Sequence, residues 1–269
     1  MMNMGQTKIE WCNYSLNPVK GRCPNTACPL FKDGGCYAHT MYDRFKWPTQ
    51  VRFEYAKFRK ELEQIKQPKR IFVGSTMELF GPWIEGKWLD LIFEATQLPG
   101  NKKHTYIYLT KRPDNLHLLS PYPDNCWIGA SVCDGQMLAH TNYPLCKVEA
   151  KIKILSLEPL FSRMPVTDLF VPLLQTLGVK WLIMGALTGT KTVVLRYKEK
   201  YPDLTPMQWH GSRWILAPKI EWLEQITAAA DQANIPVFFK DNLEPLFENT
   251  LPKWAVSGDK LRQEFPKVG

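Results

Sequence analysis

Short β-rich runs recur along this chain, each trailed by a polar loop and then usually by a longer segment of helical character. That alternation constrains the fold more than any other feature, because it is the signature of βαβ units and a parallel sheet. The runs fall at residues 8–11, 70–74, 105–109, 126–131, 152–157, 181–184 and 236–239, giving about seven strands. Several are continuously apolar, such as Ile71-Phe72-Val73 and Trp181-Leu182-Ile183-Met184, as expected where both faces of a parallel sheet are covered.

Between the strands, apolar residues repeat at helical spacing: Phe58, Leu62 and Ile65; Trp88, Leu91, Ile92 and Ala95; Ile220, Leu223, Ile226 and Ala230. Phe170, Leu173, Leu174 and Leu177 predict a further helix, with Pro172 tolerated in its first turn and Gly178 as its C-cap. Residues 190–213, rich in Lys, Tyr, Pro and Trp, read as an irregular insertion, either a lid or binding segment, or else an inserted hairpin or a surface loop. The tail, 243–269, reads as a short closing element. The expected fold is therefore an α/β parallel-stranded (β/α) barrel, partial or full, forming one domain over residues 1–269.

The residues just after each strand are informative. In order, these polar positions are a cysteine loop, Glu78, Lys111 with Arg112, Cys133 with Asp134, Glu158, Thr188 with Lys191, and Lys240 with Asp241. In a parallel barrel every strand's C-terminal end points the same way, so these positions are expected around one mouth. Ion pairs between neighbouring strand ends would explain the same residues without a ligand. Glu158 and Lys240 directly adjoin buried apolar runs, where an unpaired charge is costly.

Cys23, Cys28 and Cys36 are separated by four residues (24–27) and then seven (29–35), with Pro24, Pro29, Gly34 and Gly35 breaking regular structure between them. Three thiols on such a loop select a soft metal, either zinc or an iron-sulfur cluster, the remaining alternative being unmetallated core cysteines. A structural zinc site takes four closed ligands, and Cys12 or His39 as the fourth would give one. A four-iron cluster on three cysteines leaves one iron open to a cofactor or substrate. Cys126 and Cys146 read as small buried hydrophobes.

A length of 269 residues with 45% hydrophobic content suffices for a full core. Seven cysteines with no charged-then-apolar leader argue against a secreted disulfide framework and for a reducing cytoplasm. No apolar run approaches the about 20 residues of a membrane span. Against 26 acidic residues stand 34 basic ones, and the net charge of +8 favours an anionic partner, nucleic acid or a phosphorylated small molecule.

With these residues in place, the chain resembles a phage-associated family of largely uncharacterised proteins related to radical S-adenosylmethionine (radical SAM) enzymes, with spore photoproduct lyase a distant relative. The resembling pieces are Lys8-Ile9-Glu10-Trp11, Asn17-Pro18 with Gly21 and Cys23, Cys36-Tyr37-Ala38, Gly74-Ser75 with Glu78-Leu79-Phe80, and Leu109-Thr110-Lys111-Arg112-Pro113. They continue through Asn125, Trp127-Ile128-Gly129 with Ser131-Val132, Ser156-Leu157-Glu158-Pro159-Leu160, Trp181-Leu182-Ile183-Met184-Gly185 and Phe238-Phe239-Lys240.

The resemblance implies a 4Fe-4S cluster on Cys23, Cys28 and Cys36, whose open iron binds S-adenosylmethionine. One-electron reduction then yields methionine and a 5′-deoxyadenosyl radical that abstracts hydrogen from substrate. It also implies Ser75, Glu78 and Ser131 as cofactor-binding, Lys111, Glu158 and Lys240 as catalytic, and an electron donor such as a flavodoxin or ferredoxin. The implied substrate is nucleic acid or a nucleotide. The second reading, from a different class, is a zinc-containing nucleic-acid-binding protein without radical chemistry. The chain also departs from the family pattern. Its cysteine loop has its own spacing, and Glu78 stands where Asp is frequent. Leu187 and Cys133 stand where the family carries acids, which keeps open a third reading, a barrel of this fold without chemistry.

Overall fold

The computed structural model describes residues 5–247 and 251–267. Of the predicted tail, 248–250 and 268–269 lie outside the described residues. The chain divides into two compact units, Met1–Gly129 with Val148–Lys151, and Ala130–Lys147 with Ile152–Gly269.

The sheet strands are β1 (Tyr14–Leu16), β2 (Arg70–Val73), β3 (Thr105–Thr110), β4 (Cys126–Ser131), β5 (Lys153–Leu157), β6 (Val179–Met184) and β7 (Val237–Phe239). They lie in sequence order in one seven-stranded parallel sheet, the partial form of the expected class, since a closed (β/α) barrel has eight strands. Six of the seven predicted runs coincide with strands. The first does not. Residues 8–11 turn instead, Cys12 N donating to Ile9 O at 3.2 Å and Ile9 N to Thr7 Oγ1 at 3.2 Å. A hydroxyl that bonds the backbone two residues on competes with strand pairing, and the strand starts three residues later.

In the first unit, β1 pairs with β2 (Tyr14 opposite Ile71) and β2 with β3 (Ile71 opposite Tyr106). Helices α1 (Tyr37–Phe45), α2 (Tyr55–Gln64) and α3 (Gly86–Gln97) belong to it. The apolar spacing in α2 and α3 places Phe58 and Leu62, and Leu89, Ile92 and Ala95, in the core. Trp88 and Leu91 are only half-buried.

In the second unit, β5 pairs with β6 (Leu155 opposite Leu182) and β6 with β7 (Ile183 opposite Phe238). Its helices are α4 (Gly135–Cys146), α5 (Phe170–Leu177), α6 (Lys191–Lys200) and α7 (Ile220–Gln232). Gly178 ends α5 with φ 66°, a left-handed backbone that glycine adopts without the Cβ clash. Ile154, Leu155, Leu182 and Ile183 are fully buried, each such side chain contributing about 1.5–3 kcal/mol relative to exposure.

The stretch 190–213 is not irregular. Thr190 caps α6 by accepting from Val193 N, and after the helix Thr205–Gln208 pairs antiparallel with Trp214–Ala217, which pairs with Leu187–Gly189. Val194 and Tyr197 supply a narrow buried face that the surrounding lysines obscure in the sequence. Leu187 is buried within that small sheet and Cys133 is fully buried, so both positions are filled by packing. Cys126 is buried as expected, but Cys146 is exposed at the end of α4.

Candidate functional site

The predicted polar residues form two clusters, one in each unit. In the first unit, β1 leads into the cysteine loop, whose turns are closed by Cys28 N donating to Asn25 O (3.2 Å) and Phe31 N to Cys28 O (2.9 Å). Asp33 and Gly34, both at positive φ, reverse the chain before Cys36, which opens α1. All three thiols are half-buried and free of disulfides. Cys36 lies within electrostatic range of both Cys23 and Cys28.

Burial pushes the Cys23 and Cys28 thiols up, the two losing hydration that a thiolate needs. Backbone N–H groups oppose this: those of Asn25 and Glu78 point at the Cys23 sulfur, that of Leu30 at the Cys28 sulfur, and the Lys111 ammonium also favours the Cys28 thiolate. Donors already aimed at sulfur are what a thiolate bound to a soft cation requires. The two candidates for a fourth ligand both have other contacts. His39 is buried with its Nε2 2.9 Å from the Cys23 carbonyl, and Cys12 is buried within electrostatic range of Arg70.

Beside the loop, Ser75 and Glu78 come after β2. The Ser75 hydroxyl accepts from Ser15 Oγ at 2.5 Å and from Asn17 Nδ2 at 3.2 Å, and Tyr37 OH donates to the Ser75 carbonyl at 2.5 Å. Glu78 is buried, yet its carboxylate is fully engaged: Oε1 takes Thr110 Oγ1 (2.5 Å) and Phe80 N (3.1 Å), and Oε2 takes Lys111 N (2.8 Å). Three donors make burial of that charge tolerable and tie the end of β2 to the end of β3. Glu78 therefore fixes its own N–H toward Cys23. Arg112 lies over the Trp83 ring, 5.8 Å from its centroid.

In the second unit the ends of β5, β6 and β7 meet. Lys240 Nζ donates to Glu158 Oε1 at 2.5 Å, with side-chain exposures of 16% and 25%, so the pair is shielded yet still reached by water. Gly185 lies between them: a Cβ there would stand 3.1 Å from Lys240 Cδ and 3.2 Å from Glu158 Cγ. Asn242 is not among the residues that the strand pattern singles out. It is buried, donates to Ala186 O at 2.8 Å and Thr188 Oγ1 at 3.1 Å, and accepts from Ala186 N at 3.1 Å, clamping the chain that leaves β6. One signal in the sequence could have found it, a polar residue two positions after the charged end of an apolar strand. Ser131 is buried at the end of β4.

Three other strand-end residues have structural duties. Asp134 caps α4 through Met137 N, Asp241 accepts from Gln263, and Lys191 is exposed above the Trp214 ring. Among the described residues, no three Cys, His, Asp or Glu side chains converge on one point as a single bound ion requires. Cys23, Cys28 and Cys36 are thus not gathered at single-ion spacing, and what fits an iron-sulfur centre is their donor chemistry, three soft thiols on one loop.

Solved structures of spore photoproduct lyase share this fold. A variant with the dinucleoside spore photoproduct matches at 15% identity and a TM-score of 0.57, over 87% of this chain and 78% of that one. A second variant matches at 14% and 0.59, over 89% and 80%. A third, with bound AdoMet and the dinucleoside spore photoproduct, matches at 13% and 0.52, over 85% and 76%. At these identities the likeness is one of fold. No curated protein matches the chain. Residues 6–198 match the family described as protein of unknown function (DUF5131), and the chain belongs to that family.

Proposed function

We propose that this protein is a radical SAM enzyme acting on a nucleic acid or nucleotide, with Cys23, Cys28 and Cys36 holding a 4Fe-4S cluster. The observation that carries the reading is the loop itself: three half-buried thiols on one turn-rich segment, two of them already met by backbone N–H groups. The parallel fold and its likeness to spore photoproduct lyase support it. So does the net charge of +8, which suits a polyanionic substrate.

When bound, the cluster and S-adenosylmethionine together supply one-electron cleavage of a sulfonium. Everything else falls to the chain. The Asn25, Glu78 and Leu30 N–H groups would orient the thiolates and, through hydrogen bonds to sulfur, would tune the potential of a cluster held there, with a flavodoxin or ferredoxin as the electron donor. Glu78 acts as a positioning residue, and Ser75, held by Ser15 and Asn17, offers its hydroxyl to the cofactor. In the second unit Ser131 offers a further hydroxyl. Lys240, ion-paired with Glu158, offers an ammonium to a carboxylate or phosphate. Lys111 offers the same charge on the first unit. Such chemistry belongs in a reducing cytoplasm, and no described helix is long and apolar enough to cross a membrane.

The test is iron and sulfide analysis of protein prepared without oxygen, repeated on Cys23→Ala, Cys28→Ala, Cys36→Ala and Cys12→Ala. Four irons per chain, lost in the first three variants and kept in the last, is the expected result. A colourless protein with stoichiometric zinc sinks the proposal.

A further inference from the structure

We propose that Phe45 and Trp47, flanked by Arg44 and Lys46, form a stacking platform for the bases of a single-stranded nucleic acid. The inference deepens the reading above and rests on its nucleic-acid substrate, but not on its cluster. Phe45 is 51% exposed and Trp47 40% exposed, and their rings stack on each other with centroids 5.3 Å apart and planes 22° from parallel. Large aromatics are seldom left together in water, since each forfeits the favourable burial of its ring. The pair is nonetheless built in. Lys46 adopts the left-handed conformation that ends α1, with φ 51°, and Trp47 N then donates to Tyr42 O at 3.2 Å.

The platform is also braced against the cysteine loop. Trp47 packs edge-on against the buried Tyr42, whose hydroxyl accepts from Gly21 N at 2.7 Å, while Arg22 N donates to Thr49 O at 2.8 Å. Gly21 and Arg22 immediately precede Cys23, so the stack is rigidly tied to the segment that carries the first thiol. Its chemistry is that of strand binding. Every base offers a π-face to an aromatic ring, and the Arg44 guanidinium lies 5.4 Å from the Phe45 centroid, where it extends the stack and meets phosphate. Lys46 is a second exposed cation, and the neighbouring carboxylate, Asp43, is taken up by Arg22, leaving the local field positive.

Fluorescence anisotropy of a labelled single-stranded oligodeoxynucleotide of mixed sequence, titrated with the cluster-loaded full chain, tests this. Phe45→Ala is expected to weaken binding about tenfold and Phe45→Ala/Trp47→Ala about a hundredfold, as loss of one and two stacked bases implies. Phe45→Tyr and Trp47→Phe, which keep the rings, retain the affinity and guard against misfolding. Arg44→Gln/Lys46→Gln flattens the salt dependence by about 1.4 in slope, about 0.7 per lost phosphate contact. Unchanged affinity in the double alanine variant overturns the proposal. So does a wild-type protein that fails to bind the strand, or a double variant defective only toward a reduced flavodoxin or in self-association. Colourless protein that still binds through these rings refutes the cluster and leaves the platform standing.

Discussion

The cysteine loop of the first unit and the paired strand ends of the second hold their functional groups by opposite means. On the loop, no thiol sits in a regular element except at the start of α1, and position is set by turns and by N–H groups aimed at sulfur. At the strand ends, Glu158 and Lys240 extend from β5 and β7, whose register against β6 is fixed by paired backbones, and they pair with each other. A loop of that kind leaves its thiols open to a ligand, whereas the strand-end charges already answer each other. The contrast separates residues that need a partner from residues that merely offer a charge.

Removing a thiol is the harshest way to break that contrast. Cys23→Ala, Cys28→Ala or Cys36→Ala is expected to abolish iron retention and S-adenosylmethionine cleavage, read by absorbance and product analysis, while thermal unfolding of the second unit's core is unmoved. Next comes Glu78→Ala, which loosens the N–H aimed at Cys23. Loss of such a supporting group costs about 10- to 100-fold in metal affinity, checked by competition with a chelator. If iron retention is unchanged, the carboxylate serves the fold alone.

In the second unit, Lys240→Met strands the Glu158 carboxylate. The expected loss is about 3 kcal/mol in urea unfolding, the lower end for a broken buried pair because both partners are partly wet. The paired change Lys240→Met with Glu158→Gln should recover most of it. Gly185→Ala forces the Lys240 and Glu158 side chains apart and is expected to cost about 1–2 kcal/mol, as crowding of a packed position does. An unaltered midpoint there means the pair shifts freely.

The smallest effect is kinetic. Burial raises the Cys23 and Cys28 thiols, so at neutral pH the cluster-free protein alkylates there more slowly than at the exposed Cys146, and the gap closes as pH rises. Stability moves in a definite direction too: with folded-state values above the unfolded ones, the folded chain holds those protons more tightly, and stability falls as pH climbs above about 8.5. Mass-spectrometric mapping of alkylation against pH, with faster labelling of Cys23 than Cys146 as the contrary outcome, checks it.

Much of this fold was legible in one dimension because its signals are local. The continuous apolar runs of β4 and β6, the spacing of Phe58 with Leu62, and Gly178 after Leu177 each report a backbone preference or a face that must be buried. Where the signal is not local, the linear pattern misleads. The α6 helix hides its two buried residues among charges, and Thr7 turns the segment that looked like the first strand.

The candidate site shows the same division. Which chemistry is available can be read from the linear chain, because thiols between prolines and glycines, and charges against apolar strands, are facts of composition and spacing. Which groups are committed emerges on folding: Glu78 is consumed by Thr110, Phe80 and Lys111, Asn242 clamps the chain after β6, and Phe45 and Trp47 stack in the open. Those pairings join residues distant along the chain or depend on a single turn's handedness, and distance in space is what a linear pattern does not carry.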